Sequence, residues 1–265
     1  MQKPLALITG ASTGIGYEMA KILATKGFDL VVVARNAKKL KALHDELAGQ
    51  AKVTPLALDL SQPKAAQALY QKTSKAKLKI DLLINNAGYG SSGAFVSLDL
   101  KKELGQIDLN IRALTELCHL YGADMAKRKS GKILNVASTA AFQPGPWMSV
   151  YYATKSYVLH FSEGIAEELK KSGVQVSVLC PGPTVTEFAD TAGMDKSLLF
   201  SSKLMKPATA NYVAQYGVEK LLKGKLIIIP GFMNRAMAFG NRFSPRFLVR
   251  KIAGYLNGGG ESSRH

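Results

Sequence analysis

The stretch LALITGASTGIG, residues 5–16, decides the fold. Its first five residues are a short apolar run bounded by Pro4 and Gly10, the pattern of a buried strand. Gly10, Gly14 and Gly16 follow, and residues 17–25 continue with helical character to a stop at Gly27. Strand, glycine turn and helix in that order make a cradle for a dinucleotide: glycines let the backbone approach a pyrophosphate, and the helix N-terminus attracts it. The spacing is GxxxGxG rather than the commoner GxGxxG, so on this stretch alone a purely structural turn stays open.

The chain downstream repeats the strand–helix alternation. FDLVVVAR (28–35) reads as a second strand, and its end is where a dinucleotide's ribose is read. Enzymes using NAD usually place an acid there. Here Ala34 and Arg35 stand in the turn, with Lys38 and Lys39 just beyond. A guanidinium without a carboxylate favours a 2′-phosphate, hence NADP(H) over NAD(H); the other reading of Arg35 is a solvated loop cation. A helix over 37–49 leads to the strand 53–60, where Asp59 either accepts from an adenine amino group or caps a helix starting near Gln62. A helix over 63–77 precedes a buried strand within 80–88 ending in Asn85 and Asn86, at least one of which is expected to bridge backbone. Residues 99–128 form a long helix containing Asn110, tolerated there if its side chain has work inside the protein. Strands at 132–138, 174–180 and 225–231 and helices at about 150–170 and 208–223 complete the pattern. Residues 181–184 form a stiff loop where a nicotinamide could rest, and 185–206 are expected to be a substrate lid. The class this predicts is α/β: a Rossmann-type, doubly wound parallel sheet with helices on both faces. It is expected as one domain over 1–231, followed by a basic helical extension over 232–265.

Chemistry concentrates in Ser138 to Lys155. Tyr151 and Lys155 are four apart and share a helix face. A free tyrosine hydroxyl has a pKa of about 10, and a neighbouring ammonium is expected to lower it toward the working range. Ser138 follows a strand-like run, and the loop through Gln143, Pro144, Gly145 and Pro146 could return its hydroxyl to Tyr151. A Ser donor and a Tyr acid meeting on one carbonyl oxygen suit carbonyl reduction or its reverse. YxxxK alone is a weak signal; its setting decides it.

Bulk composition sets bounds. Of 265 residues, 47% are hydrophobic, enough for a sizeable core. No run has the length of a membrane-spanning helix and no signal-peptide layout is visible. Cys118 and Cys180 sit in apolar contexts as packed thiols, and the histidines lack metal spacing, so no metal site is expected. A cytoplasmic location is the default expectation. The net charge of +16 invites an anionic partner, and residues 220–260 carry eight Lys or Arg and no acid. After Ser244-Pro245, read as a cap and first turn, Leu248, Ile252, Tyr255 and Leu256 follow helical spacing among Arg246, Arg250 and Lys251. Such a helix packs structurally, as across a subunit interface, lies peripherally on an anionic membrane or docks an acidic carrier protein. Nucleic acid is not expected, since no aromatic-basic interleaving is present.

Taken together, TGASTGIG (9–16), Asp59, NNAG (85–88), Asn110, Ser138, YYATK (151–155) and PGPT (181–184) resemble the short-chain dehydrogenase/reductase family over about residues 4–231. The resemblance implies Tyr151 as the acid, Lys155 lowering its pKa and holding the nicotinamide ribose, and Ser138 polarising the substrate oxygen. It implies that Asn110 holds a water in the proton relay. It implies cofactor contacts from Gly10, Ser12, Thr13, Gly14, Ile15, Gly16, Arg35, Asp59, Leu60, Asn86, Ala87, Gly88, Tyr151, Lys155, Pro181, Gly182 and Thr184. Tyr152 is expected to face away, about 100° round the helix. Many NADP-preferring relatives carry a basic residue where this chain has Thr13, which leaves the preference to Arg35. The implied activity is NADP(H)-dependent interconversion of a carbonyl and a secondary alcohol on an apolar substrate, such as a ketoacyl, steroid-like or aromatic carbonyl. The implied assembly is a homodimer or homotetramer. The rivals are a cofactor-binding scaffold and a membrane-peripheral interaction protein on the same fold.

Overall fold

The computed structural model describes residues 3–193 and 207–258. Seven parallel strands form one sheet: β1 (Leu5–Thr9), β2 (Asp29–Ala34), β3 (Val53–Ala57), β4 (Leu82–Asn85), β5 (Gly131–Val136), β6 (Val174–Leu179) and β9 (Ile227–Ile228), in the order β3-β2-β1-β4-β5-β6-β9. The order reverses at β1, which opens a crevice above the strands' carboxyl ends, where such sheets bind ligands. Two short strands, β7 (Thr184–Val185) and β8 (Ala208–Thr209), pair beyond that edge.

Alternation along the central strands separates two cores. Leu7, Val31, Val33, Leu83 and Ile133 face the side covered by α3 (Ala65–Lys75), α5 (Leu114–Lys127) and α6 (Ser149–Lys170). Ile8, Leu30, Val32, Ile84 and Leu134 face α1 (Gly14–Thr25), α2 (Ala37–Glu46) and α8 (Ala210–Leu222). Each fully buried side chain of this size contributes about 1.5–3 kcal/mol.

Several expected boundaries shift for local reasons. The helix expected near Gln62 begins at Ala65, since Pro63 disfavours helical backbone at Gln62 and Lys64 takes a φ of +63°. Asp59 therefore caps no helix: its carboxylate accepts from the Ser61 amide (3.0 Å) and hydroxyl (2.7 Å), closing a local turn. The 99–128 helix is α4 (Leu100–Ile107) running into α5 through a π-helical segment, Asp108–Ala113, centred on Asn110. Such wide turns re-aim a side chain. The 225–231 strand contracts to two residues, cut short before Pro230, which cannot donate to a ladder.

After β9 the chain forms α9 (Phe232–Gly240) and α10 (Arg246–Gly258), where a single helix was expected. Ser244 is not that helix's cap; its hydroxyl donates to Gly240 O (3.0 Å), closing α9 instead. Both helices fold back over the strand ends. Gly254 and Gly258 admit Pro146 and Trp147, and a Cβ on Gly258 would lie 2.7 Å from the Trp147 indole nitrogen. Asn257, buried, accepts from the Tyr152 hydroxyl (3.1 Å) and donates to Pro146 O (3.0 Å). Among the described residues no helix is long and apolar enough to cross a membrane.

Candidate active site

Above the crevice lies a cavity of about 740 Å³ that joins the glycine turn at one end to Ser138, Tyr151 and Lys155 at the other. Gly10 and Gly14 take φ of +66° and +60°, a left-handed backbone that glycine adopts without strain. Thr13 occupies the N-cap of α1 but makes no side-chain cap, and the first turn carries no acid, so the helix amides face the cavity uncapped. Arg35 lines the same end and makes no hydrogen bond or ion pair among the described residues. Asp59 sits beside it: burial pushes its carboxyl up, but the Ser61 hydroxyl and amide, Gln62 and the Arg35 charge together hold it below its usual value. Glycine backbone, an open helix N-terminus and an open guanidinium fit an anionic dinucleotide.

Ser12, Ile15, Leu60, Asn86, Ala87, Gly88, Pro181, Gly182 and Thr184 line the cavity. Gly16 does not. It lies beneath the wall, where a Cβ would stand 2.4 Å from both Asn86 Nδ2 and Gly10 O, so its role is close packing of α1 on the turn. Asn86 bridges backbone from below, donating to Thr9 O and Gly10 O at 3.0 Å. Asn85 bridges too, donating to Asn135 Oδ1 (2.9 Å) and Cys118 Sγ (3.2 Å) inside the core.

At the far end, Ser138 ends the segment after β5, with its hydroxyl accepting from Ala140 N (3.1 Å) and donating to Pro181 O (3.4 Å). Tyr151 and Lys155 lie on the first turns of α6, both buried. Lys155 Nζ donates to Val136 O (2.9 Å) and lies 5.8 Å from the Tyr151 ring centre. Burial pulls the Lys155 ammonium down to about 8, with a small opposing effect from Cys180. The expected lowering of the Tyr151 pKa by Lys155 is not what this geometry produces. Burial pushes the phenol above its ordinary value, and only the neighbouring Ser138 hydroxyl pulls the other way. The ammonium is engaged on a backbone carbonyl, so desolvation of the phenolate dominates. Tyr151 therefore remains a protonated donor through neutral pH.

Asn110 stands behind the wall rather than on it. It accepts from Tyr89 N (3.2 Å) and donates to Tyr89 O (3.0 Å) and Thr154 Oγ1 (3.0 Å), while Thr154 in turn donates to Tyr151 O (2.8 Å). Its amide clamps the 89 backbone to the turn of α6 that bears the tyrosine. Gly88 sits between Asn110 and Lys155, where a Cβ would lie 3.0 Å from Asn110 Oδ1 and 3.4 Å from Lys155 Nζ.

Some residues of the site had no signal in the sequence. Phe188 packs its ring 5.2 Å from that of Tyr151, and Gly90 lets the 88–93 loop reach both rings, a Cβ there meeting Phe188 at 3.0 Å and Tyr151 at 3.1 Å. Lys39 pairs with Glu187 (2.6 Å) across the mouth beside Arg35. Trp147 takes a φ of +69°, strained for a bulky residue, and its carbonyl accepts from Gly93 N (2.8 Å). Tyr152, expected to face away, also lines the cavity, but its hydroxyl is taken up by Asn257 and so holds α10. Of the expected lid over 185–206, residues 194–206 lie outside the described residues; α7 (Phe188–Ala192) carries Phe188.

The short chain dehydrogenase family model matches residues 4–197. Among curated relatives, a short chain dehydrogenase of Pseudocercospora fijiensis is 32% identical over 192 residues, covering 71% of this chain and 62% of that protein. The ketoacyl reductase HetN of Nostoc sp. is 32% identical over 221 residues, covering 83% and 75%. A solved short-chain dehydrogenase from Sphingobium yanoikuyae, in complex with NADPH, is 33% identical with a TM-score of 0.81, covering 91% of this chain and 93% of that one.

Proposed function

The chain belongs to the short-chain dehydrogenase family, and from that premise we propose that it is an NADP(H)-dependent reductase of apolar carbonyls, working through Ser138, Tyr151 and Lys155. The observation that carries this reading is the convergence of those three side chains at the opposite end of one cavity from the uncapped helix and Arg35.

Bound along that cavity, the nicotinamide dinucleotide supplies the hydride. The remaining work falls to the chain. Gly10, Gly14 and the α1 amides receive the pyrophosphate, and Arg35 receives a 2′-phosphate with a charge-assisted fork. Ser138, its oxygen held by Ala140 N, turns its one proton from Pro181 O to the carbonyl oxygen as charge develops there. Tyr151, kept protonated by burial, gives its phenolic proton to the same oxygen. Lys155, held by Val136 O beside the phenol, would hold the nicotinamide ribose. Asn110 positions this turn through Thr154. Phe188, Met148, Met237, Ile252 and Leu256 line the substrate end with apolar surface, which supports a ketoacyl, steroid-like or aromatic carbonyl.

The test is oxidation of NADPH, followed by absorbance, against ketoacyl thioesters, steroids and aromatic ketones, with a parallel NADH series. The reading requires turnover of at least one apolar carbonyl with NADPH preferred. NADPH binding without turnover of any of them would return the weight to a cofactor-binding scaffold.

A further inference from the structure

The strongest feature that the chemistry does not use is the outer surface of α9 and α10. A chain that buries its sheet on both faces still exposes Phe232 (77%), Phe239 (62%), Phe243 (76%), Phe247 (58%), Leu248 (44%) and Tyr255 (63%) there. Clustered exposure of this kind marks a binding surface. All five cations of the same segment, Arg235, Arg242, Arg246, Arg250 and Lys251, are exposed as well, and residues 232–258 contain no Asp or Glu.

We propose that α9 and α10 together dock on an anionic lipid bilayer, with their aromatic side chains entering the headgroup boundary. Amphipathic basic surface with exposed aromatics is the pattern that lies in such an interface, and each Lys or Arg near an anionic leaflet contributes to the attraction. Charge chooses this occupant over the others. A second copy meeting through the same face would oppose the five cations of one molecule to the five of the other, a like-charge contact without a compensating acid. Residues 194–206 bring Lys196, Lys203 and Lys206 against a single Asp195, so they add to the positive charge rather than complement it.

The inner sides of the same helices explain what docking is for. Met237 and Ile252 line the cavity and are also exposed, at 38% and 52%, so the cavity's rim lies on the docking face. An apolar substrate held in a bilayer then passes from lipid to cavity along apolar surface. The docking claim does not depend on the proposed reaction.

The experiment is co-sedimentation of the full chain with vesicles of phosphatidylcholine, with and without a quarter of phosphatidylglycerol. The expected result is pelleting with the anionic vesicles that fades as salt rises, and none with phosphatidylcholine alone. Phe239→Ser/Phe243→Ser and Arg246→Glu/Arg250→Glu should each lower the partition coefficient by at least about tenfold while NADPH affinity stays at its starting value. Should a double variant melt early, Phe243→Ser alone carries the same comparison. Absence of wild-type pelleting at low salt overturns the proposal. Pelleting that ignores the aromatic substitutions overturns it too, as attraction by net charge alone. Self-association lost in the aromatic variant, without vesicle binding, assigns the face to a second copy.

Discussion

The glycine turn and the α9–α10 pair are built on opposite terms. Around the turn, backbone meets backbone: Gly16 leaves no room for a Cβ, Asn86 ties down two carbonyls, and β1 is paired on both sides. The C-terminal pair instead rests on a few side-chain anchors, Asn257 on Tyr152 and Pro146, Asn241 on Gln143 (2.8 Å) and Asn234 on Pro230 (2.8 Å), with aromatics left outside. A region with no tolerance suits a constant partner, and one held by few anchors suits a variable one. On the proposed reading, the first region receives the cofactor and the second takes part in substrate choice.

The largest test of that division is Tyr151→Phe. Loss of a positioned acid should lower kcat by about 10²–10⁴-fold for every carbonyl, with NADPH affinity by fluorescence titration unchanged. A loss confined to one substrate class would place Tyr151 with the variable region. Next comes Arg35→Ser. Charge-assisted bonds of about 1.5–3 kcal/mol make the expected rise in the NADPH KM about 10- to 150-fold, with NADH kinetics unmoved. Equal effects on both cofactors would make Arg35 a solvated cation.

The sequence carried the constant region and little of the variable one, and chain distance is the reason. Gly10 to Gly16, and Tyr151 to Lys155, do their work within one or two turns, so spacing alone exposes them. Arg35 is legible because it sits where a strand must end. Asn257 is not: its partner Tyr152 lies 105 residues away, and neither residue's neighbours announce the pairing. Phe188 and Gly90 acquire meaning only when two loops meet over Tyr151. The direction of the Tyr151 shift is hidden from the sequence for a related cause. Four-residue spacing places the lysine nearby, but it does not reveal that Val136 O takes the ammonium or how dry the site is.

A smaller effect should follow from pH. Burial lowers the Lys155 pKa to about 8, so the charged form is complete below that pH and is lost as pH rises through it. The free enzyme's ionisations govern kcat/KM for NADPH, which should bend downward near pH 8 and then fall about tenfold per pH unit. A profile flat to pH 10 would show that Lys155 acts without its charge.

The smallest effect separates the two regions most cleanly. Asn257→Ala removes the acceptor for the buried Tyr152 hydroxyl and the donor for Pro146 O, leaving both without partners at a cost of about 1–3 kcal/mol each. Because the anchor joins α10 to the loop before Tyr151, that cost should fall on the docking of α10 rather than on the sheet. Amide exchange should then accelerate over α10 and the 143–148 loop while β1, β4 and α1 keep their protection. The KM for a bulky carbonyl should rise several-fold, and the NADPH dissociation constant should stay where it is. Weaker NADPH binding in this variant would mean that the cavity responds as one unit, and the division between a constant and a variable region would fail. Unchanged exchange over α10 would mean that Trp147 and Pro146, seated on Gly258 and Gly254, hold the helix without the amide.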